Sequence, residues 1–351
     1  DGIVYPGRAW GEGFPHFSEG PHLHEYLAEM RREVFDGRSA TMTVGECPGV
    51  RRDNVLLFTD PARRELDMVF QFDHVDLGLE RGKFDPRPLR PGELADCLSA
   101  WQEAQGEVGW NSLYLDNHDQ PRAVSRFGDE AHRYASATAL ATALHMLRGT
   151  PYVYQGEELG MTNGVFHGIE DYRDVEALRY FREATEKGTS PESVLSGLAL
   201  TGRDNARTPV QWDASPNAGF TQVTPWIGVT PNYEEINAAS QVGDPSSVYA
   251  YYRALADIRH GLPVIAVGAY ERIRASSPAI FAYRRTLGEA VATVLVNLSS
   301  YPAPLGEAAR EVSGDLLLAN RDLPEEERAV PETLGEWEAR VYLASRGQGP
   351  Q

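Results

Sequence analysis

From Leu23 to Glu158 the hydrophobic positions alternate between two periods. Leu23, Leu27, Met30 and Val34 recur at helical spacing, and the run "ATMTVGE" that follows has strand character and ends at Glu46. A second strand pattern, "LDMVFQFDHVDL", ends near Asp73 and His74. Leu94, Cys97, Leu98 and Trp101 then mark one face of a helix entered through Pro91 and Gly92. "NSLYLDNHD" supplies a third strand and "TPYVYQGEE" a fourth. Between them, "EAHRYASATALATALHMLRG" reads as an alanine-rich helix with Gly149 as its C-terminal cap. Strands alternating with helices at this spacing predict a parallel sheet covered by helices.

The pattern changes downstream. From about residue 160 to 245 the chain is rich in aromatic, Asn and Pro residues, with one helix expected around Asp174 to Lys187. An excursion this long suits a functional insertion better than a plain connection. "SSVYAYYRALADIRHG" reads as a helix running from a serine cap to Gly261. Beyond Pro263, "IFAYRR" and "AVATVLVNL" alternate with turns and predict a small antiparallel unit. The expected division is therefore 1–262 for the α/β part and 263–351 for an all-β part.

Composition narrows the classes of partner. Of 351 residues, 42% are hydrophobic and 24% charged, a globular balance, and the net charge of −18 repels nucleic acid and anionic membranes. Cys47 and Cys97 are too few for a disulfide framework and lack metal-type spacing. No run approaches the roughly 18 apolar residues of a membrane span. The Gly- and Pro-rich opening carries neither an initiator methionine nor a signal-type segment, so the chain is expected to begin inside a longer polypeptide. A cytoplasmic location is expected, with a leader ahead of Asp1 left open.

The strands end in costly polar clusters: Glu46, Asp73-His74, Asn117-His118-Asp119 and Gln155-Gly156-Glu157-Glu158. Parallel α/β barrels carry their chemistry at the carboxyl ends of strands. Glu46, if buried beside aromatic or carboxylate neighbours, becomes a proton donor near neutrality; otherwise it is a glutamate facing solvent. His118 and Asp119 pair an imidazole with a carboxylate, suited to gripping sugar hydroxyls and stabilising an oxocarbenium charge, or alternatively form a capping network. In "GRDNARTPVQW", Arg203 and Arg207 offer forks for carboxylates or hydroxyls and Trp212 an aromatic face, although ion pairing that shapes a loop fits Arg207 equally. "GEGF" lacks the lysine and the strand context of a phosphate loop. The pair His22 and His24 lacks a third metal ligand, and Cys47, next to Glu46, reads as a small packed side chain.

Together these stretches resemble glycoside hydrolase family 13, and within it the oligo-1,6-glucosidase/α-glucosidase branch. The resemblance runs through "PHLHEYLAEM", "MTVGECPGV", "MVFQFDHVDL", "GWNSLYLDNHDQPRAVSRFG", "GTPYVYQGEELGMTN", "YRDVEA" and "RDNARTPVQWD". It implies a (β/α)8 barrel followed by an all-β C-terminal domain. By that likeness Glu46 matches the general acid/base after the fifth barrel strand, and Asp119 the transition-state-stabilising carboxylate after the seventh. His118 matches its neighbour at the subsite of the attacked sugar, Arg203 an arginine on that sugar, and Glu176 a contact for the adjoining unit.

The family's nucleophile is an aspartate in a Gly-Phe-Arg-x-Asp-type motif, which does not occur in these residues. The expected object is thus the second half of the barrel plus the C-terminal domain. Its missing N-terminal half, with the nucleophile, would lie on the same or another chain. The implied substrate is a short oligosaccharide or disaccharide cleaved with retention at α-1,6 or α-1,4 bonds. No cofactor is implied for this region, while Ca2+ belongs with the uncovered half. A sucrose isomerase or transglucosidase is the near alternative, and "DHVDLGLERGKF" fits the hydrolase better. A non-catalytic relative is the distant alternative, opposed by the retention of Glu46, His118 and Asp119.

Overall fold

The computed structural model describes residues 18–38 and 40–345. The loop-like opening and its "GEGF" stretch lie outside the described residues. Apolar strand patterns become short parallel strands in chain order: β1 (Val44–Glu46), β2 (Met68–Phe70), β3 (Ser112–Leu113) and β4 (Thr150–Pro151). β1 pairs with β2 from Val44 opposite Met68 to Glu46 opposite Phe70. A parallel bridge from Val69 to Asn111 carries the sheet to β3, which pairs with β4. Helices fill the connections: α1 (Leu23–Met30) precedes β1, α2 (Leu56–Thr59) follows it, and α3 (Glu93–Gln105) follows β2. α4 (Ala123–Phe127) and α5 (Arg133–His145) join β3 to β4.

The ladders are shorter than the apolar runs that announce them, and the reason is local. Beyond Phe70 the Gln71 amide oxygen accepts the Asp73 N–H at 2.7 Å. Beyond Leu115, Asp116 accepts the Ala123 N–H and Asn117 accepts the Asp119 N–H, both at 2.8 Å. Polar side chains take over backbone groups that a neighbouring strand would otherwise satisfy, and the chain turns.

Gly149 does not cap α5, which ends at His145. It sits at the entry to β4 with φ of 141°, where a Cβ would lie 2.4 Å from the Asn111 carbonyl oxygen. A side chain there would push β4 away from β3.

After β4 the excursion holds α6 (Val175–Glu186) and α7 (Pro191–Thr201), and the chain returns through α8 (Val248–Gly261) and α9 (Pro263–Val267). Ser190 and Ser247 cap α7 and α8 by accepting the Ser193 and Ala250 N–H groups. A five-stranded antiparallel sheet follows, in the order β5 (Ala269–Ile273), β6 (Ile280–Leu287), β7 (Ala290–Asn297), β11 (Ala339–Ser345), β9 (Asp315–Ala319). β8 (Ala303–Pro304) and β10 (Thr333–Leu334) form a separate antiparallel pair.

α5 is the keystone of the packing. It is buried continuously from Ser136 to His145, with α8 among its neighbours and the C-terminal sheet, through Tyr283 and Val294, in the same core. Alanine at Ala137, Ala139, Ala141 and Ala143 lets neighbours approach from several sides. Polar ties finish the join: Tyr283 donates to the Ala143 carbonyl at 3.0 Å, and Asn320 to the Thr138 hydroxyl at 3.0 Å.

Candidate active site

Glu46 closes β1 and is exposed. Of the two readings left open for it, buried or facing solvent, this is the second. Among the described residues β1 has one ladder neighbour, β2, and no strand pairs along its other edge. Beside it, burial and the Glu46 charge push the Cys47 thiol up to about 11, so Cys47 stays a protonated, packed side chain. From the end of β2 to the residues just after β3 and β4 runs an aromatic floor, with the Phe70 ring 5.2 Å from Tyr114 and 4.7 Å from Tyr152. His74 lies 4.4 Å from the Tyr114 ring, and burial pushes its imidazole down to about 3, leaving it neutral. Burial, then the charges of Asp76 and Glu46, push the Tyr114 phenol upward, so Glu46 is felt at the floor.

Asp119 sits in a network of opposite charges. Arg207 donates to its Oδ1 at 2.6 Å, and an Arg203 Nη lies 3.7 Å from its Oδ2. Arg203 is itself held by Asp174, with hydrogen bonds of 3.0 and 2.7 Å, and lies 3.4 Å from Glu176. Lys83 reaches Glu176 at 2.6 Å. The hydrogen bonds Arg203 donates to Asp174, followed by the charges of Asp174, Glu176 and Asp119, raise its guanidinium above the ordinary range. Burial would raise Asp174, but the Arg203 hydrogen bonds and charge outweigh it and hold the carboxyl low. Arg203 therefore stays cationic and the Asp174 side chain, 3% exposed, stays anionic.

His118 lies beside Asp119, its Nε2 3.8 Å from Oδ2, and is 65% exposed. Its carbonyl accepts from Arg207 Nε at 3.2 Å, so one arginine grips both residues. An open cavity of about 710 Å³ is lined by Phe72, Lys83, Asp119, Glu176, Tyr180 and Arg203 among others. The structure thus gathers Asp119, Arg203 and Glu176 around one cavity. His118 stands at its edge through Asp119. Glu46 does not line it, but leaves the same carboxyl end of the parallel sheet. Trp212 is exposed and does not line it either.

Asp174 and Lys83 were invisible as site residues in the sequence. Asp174 read only as the start of a helix. Its anchoring depends on Asp204, whose buried carboxyl accepts the Arg173 and Asp174 N–H groups at 2.8 and 3.0 Å from 30 residues downstream. His22 and His24 are not paired on a metal: His24 bonds Glu65 at 2.6 Å and His22 bonds Glu25 at 3.1 Å. Among the described residues no group of three or more His, Cys, Asp or Glu side chains is arranged to hold a metal ion.

Parallel strands wound with helices, polar side chains at their carboxyl ends and a following antiparallel sheet define a catalytic unit of the α-amylase type. The chain belongs to that family: the description "Alpha amylase, catalytic domain" matches residues 3–268. Among characterised relatives it is 48% identical over 348 residues to the oligo-1,6-glucosidase of Parageobacillus thermoglucosidasius, covering 97% of this chain and 62% of that protein. The solved trehalose-6-phosphate hydrolase of Bacillus licheniformis is 40% identical with a TM-score of 0.87, over 96% of this chain and 61% of that one. The trehalulose synthase of Pseudomonas mesoacidophila is 40% identical with a TM-score of 0.85, over 93% and 59%. The chain therefore spans about three-fifths of the length of these relatives.

Proposed function

We propose that these residues are the second half of the barrel and the C-terminal domain of a retaining α-glucosidase. Its substrates are short oligosaccharides, cleaved at terminal non-reducing α-1,6 or α-1,4 bonds. The observation that carries this reading is Asp119, gripped by Arg207 and Arg203 at the rim of a cavity opening where the parallel strands end. In this reading Asp119 holds sugar hydroxyls and stabilises the oxocarbenium-like transition state, with His118 and Arg203 on the same sugar and Glu176 facing the adjoining unit. Glu46 protonates the leaving oxygen and later activates water.

A retaining mechanism sets acid and nucleophile about 5–5.5 Å apart. The nucleophilic aspartate in this reading comes from outside these 351 residues, on a strand that packs along the open flank of β1 and also encloses Glu46. The relatives' greater length supports that placement. An intact mass of the native, folded protein no larger than that of these residues would contradict it.

The deciding assay uses the native polypeptide on isomaltose, maltose, sucrose and p-nitrophenyl α-glucoside, with the first-formed anomer followed by NMR. Release of α-glucose is expected; β-glucose, or inactivity on all four, defeats the proposal, and inactivity would favour a non-catalytic role. The second reading, sucrose isomerisation, draws on the trehalulose synthase likeness. Trehalulose or isomaltulose as the main product from sucrose would put it first. Trehalose 6-phosphate belongs in the same panel, because a hydrolase of that substrate is among the relatives.

A further inference from the structure

Beneath the Asp119 segment two carboxyl groups meet out of reach of water. Asp116, at the end of the third strand pattern, is 2% exposed, and Glu157, after β4, is 4% exposed. Each has one oxygen satisfied. Asp116 Oδ2 accepts the Ala123 N–H at 2.8 Å, and Glu157 Oε1 accepts the Tyr252 hydroxyl at 2.8 Å. The remaining oxygens, Asp116 Oδ1 and Glu157 Oε2, are buried with no hydrogen-bond partner. Ala123, which Asp116 holds, lines the same enclosed space as Glu157, and each carboxyl is near enough to act on the other. Two carboxylates cannot bond each other, because both are acceptors only. One proton between them satisfies both leftover oxygens and removes the repulsion.

The charges around the pair support a count of one. Arg122 is fully buried and is the cation the pair feels, yet its hydrogen bonds go to the carbonyls of Gln155, Asn205 and Thr208. One guanidinium balances one negative charge, not two. Leu115, Val124, Leu140 and Met161 line the space beside Glu157 and add no charge. His145, packed on Tyr252 at 5.3 Å, is pushed down to about 3 by burial and is neutral. Glu158 and Tyr154 complete the titratable surroundings; the Glu158 charge adds to the case for a proton. Burial pushes Asp116 up to about 6 and, with the Asp116 charge added, Glu157 well above the ordinary carboxyl range.

We infer that Asp116 and Glu157 share a single proton and, with Arg122, form a buried hub that positions the 117–119 segment against the 203–208 segment. The hub joins the strand end that carries Asp119 to the carbonyls of the loop that carries Arg203 and Arg207. Only the catalytic meaning of that placement rests on the function proposed above; the shared proton does not.

An amide-substitution cycle tests the hub by denaturant unfolding. In Glu157→Gln the amide oxygen keeps the Tyr252 bond and the NH2 replaces the shared proton toward Asp116. In Asp116→Asn the oxygen keeps the Ala123 bond and the NH2 points at Glu157. Each single variant is expected to fold with stability near wild type at neutral pH. The double variant sets two NH2 groups face to face and leaves Arg122 without a counter-charge. It is expected to lose at least tenfold in the unfolding equilibrium beyond the sum of the singles, about 1.4 kcal/mol, or not to fold.

The pH dependence is a second reading of the same cycle. The native pair keeps a proton that the unfolded chain releases above about pH 4.5, so wild type loses stability relative to Glu157→Gln as pH rises. Additive losses in the cycle, either single variant failing to fold, or a wild-type-to-Gln difference flat in pH would overturn the inference. If the protein proves not to be an α-glucosidase but the cycle behaves as expected, the proposed function falls and the hub stands.

Discussion

At the scale of the residue, Asp119 is defined by the company it keeps. Arg207, not Arg203, makes its short contact, while Arg203 is shared with Asp174. In the native enzyme Arg207→Ala therefore removes a charge-assisted bond from Asp119 and loosens His118 with it. For the α-glucosidase activity proposed above, a loss of about 10- to 100-fold in kcat/KM is expected, the equivalent of about 1.4–2.7 kcal/mol. Steady-state kinetics on isomaltose check this, and an unchanged kcat/KM would assign Arg207 to loop shape alone. Glu46 separates by leaving group. If Glu46 is the acid proposed above, Glu46→Gln is expected to abolish turnover of poorly departing sugars but to spare glycosylation by activated phenyl glucosides, which leave with little protonation. Pre-steady-state release of p-nitrophenol against cleavage of isomaltose distinguishes the two; equal losses mean that Glu46 is not the acid.

At the scale of the element, the serine cap that the sequence suggested, Ser247, acts at the start of α8. Ser247 accepts the Ala250 N–H at 3.1 Å and donates to the Gln241 and Asp244 carbonyls, so it both starts α8 and anchors the chain returning from the excursion. Ser247→Ala is expected to cost about 1 kcal/mol, the usual loss for an N-cap, read from the urea midpoint at unchanged slope. The capping pattern of a serine before an apolar run was legible because it is local. The strand lengths were not. "NSLYLDNHD" carries strand propensity through Leu115, but pairing stops at Leu113 because Asp116 and Asn117 bind nearby backbone instead.

At the scale of the molecule, the join between the helical layer and the C-terminal sheet hangs on a buried cation without an ion pair among the described residues. Arg285 of β6 donates to the carbonyls of Met146, Ile265 and Gly268, and burial pushes its guanidinium down to about 10. Arg285→Met fills the volume and strands three acceptors. A loss of about 2 kcal/mol or more is expected in equilibrium unfolding, and a neutral result would mean that burial of the charge cancels its bonds.

Acid acts on the whole structure through His74 and His145, both pushed by burial down to about 3. The unfolded chain binds protons on them below about pH 6.5 while the native state does not. Their contribution is therefore complete above pH 6.5 and is lost as pH falls, by up to about 1.4 kcal/mol per unit for each. His145→Phe should flatten that slope between pH 6.5 and 5, and an unchanged slope would count against a neutral buried imidazole. The carboxyl pair of Asp116 and Glu157 contributes with the opposite sign.

What the sequence determined by itself is what recurs within a few residues: two hydrophobic periods, the polar clusters that stop them, the serine cap of α8 and the late switch to antiparallel strands. These are set by backbone geometry and by whether a side chain prefers water. Tertiary structure alone decided which charges meet. Arg207 finds Asp119 across 88 residues, Asp174 finds Arg203 across 29, and Lys83 finds Glu176 across 93. It also left Glu46 open and shut Asp116 and Glu157 away together, because burial belongs to the assembled layers and not to any run of the chain.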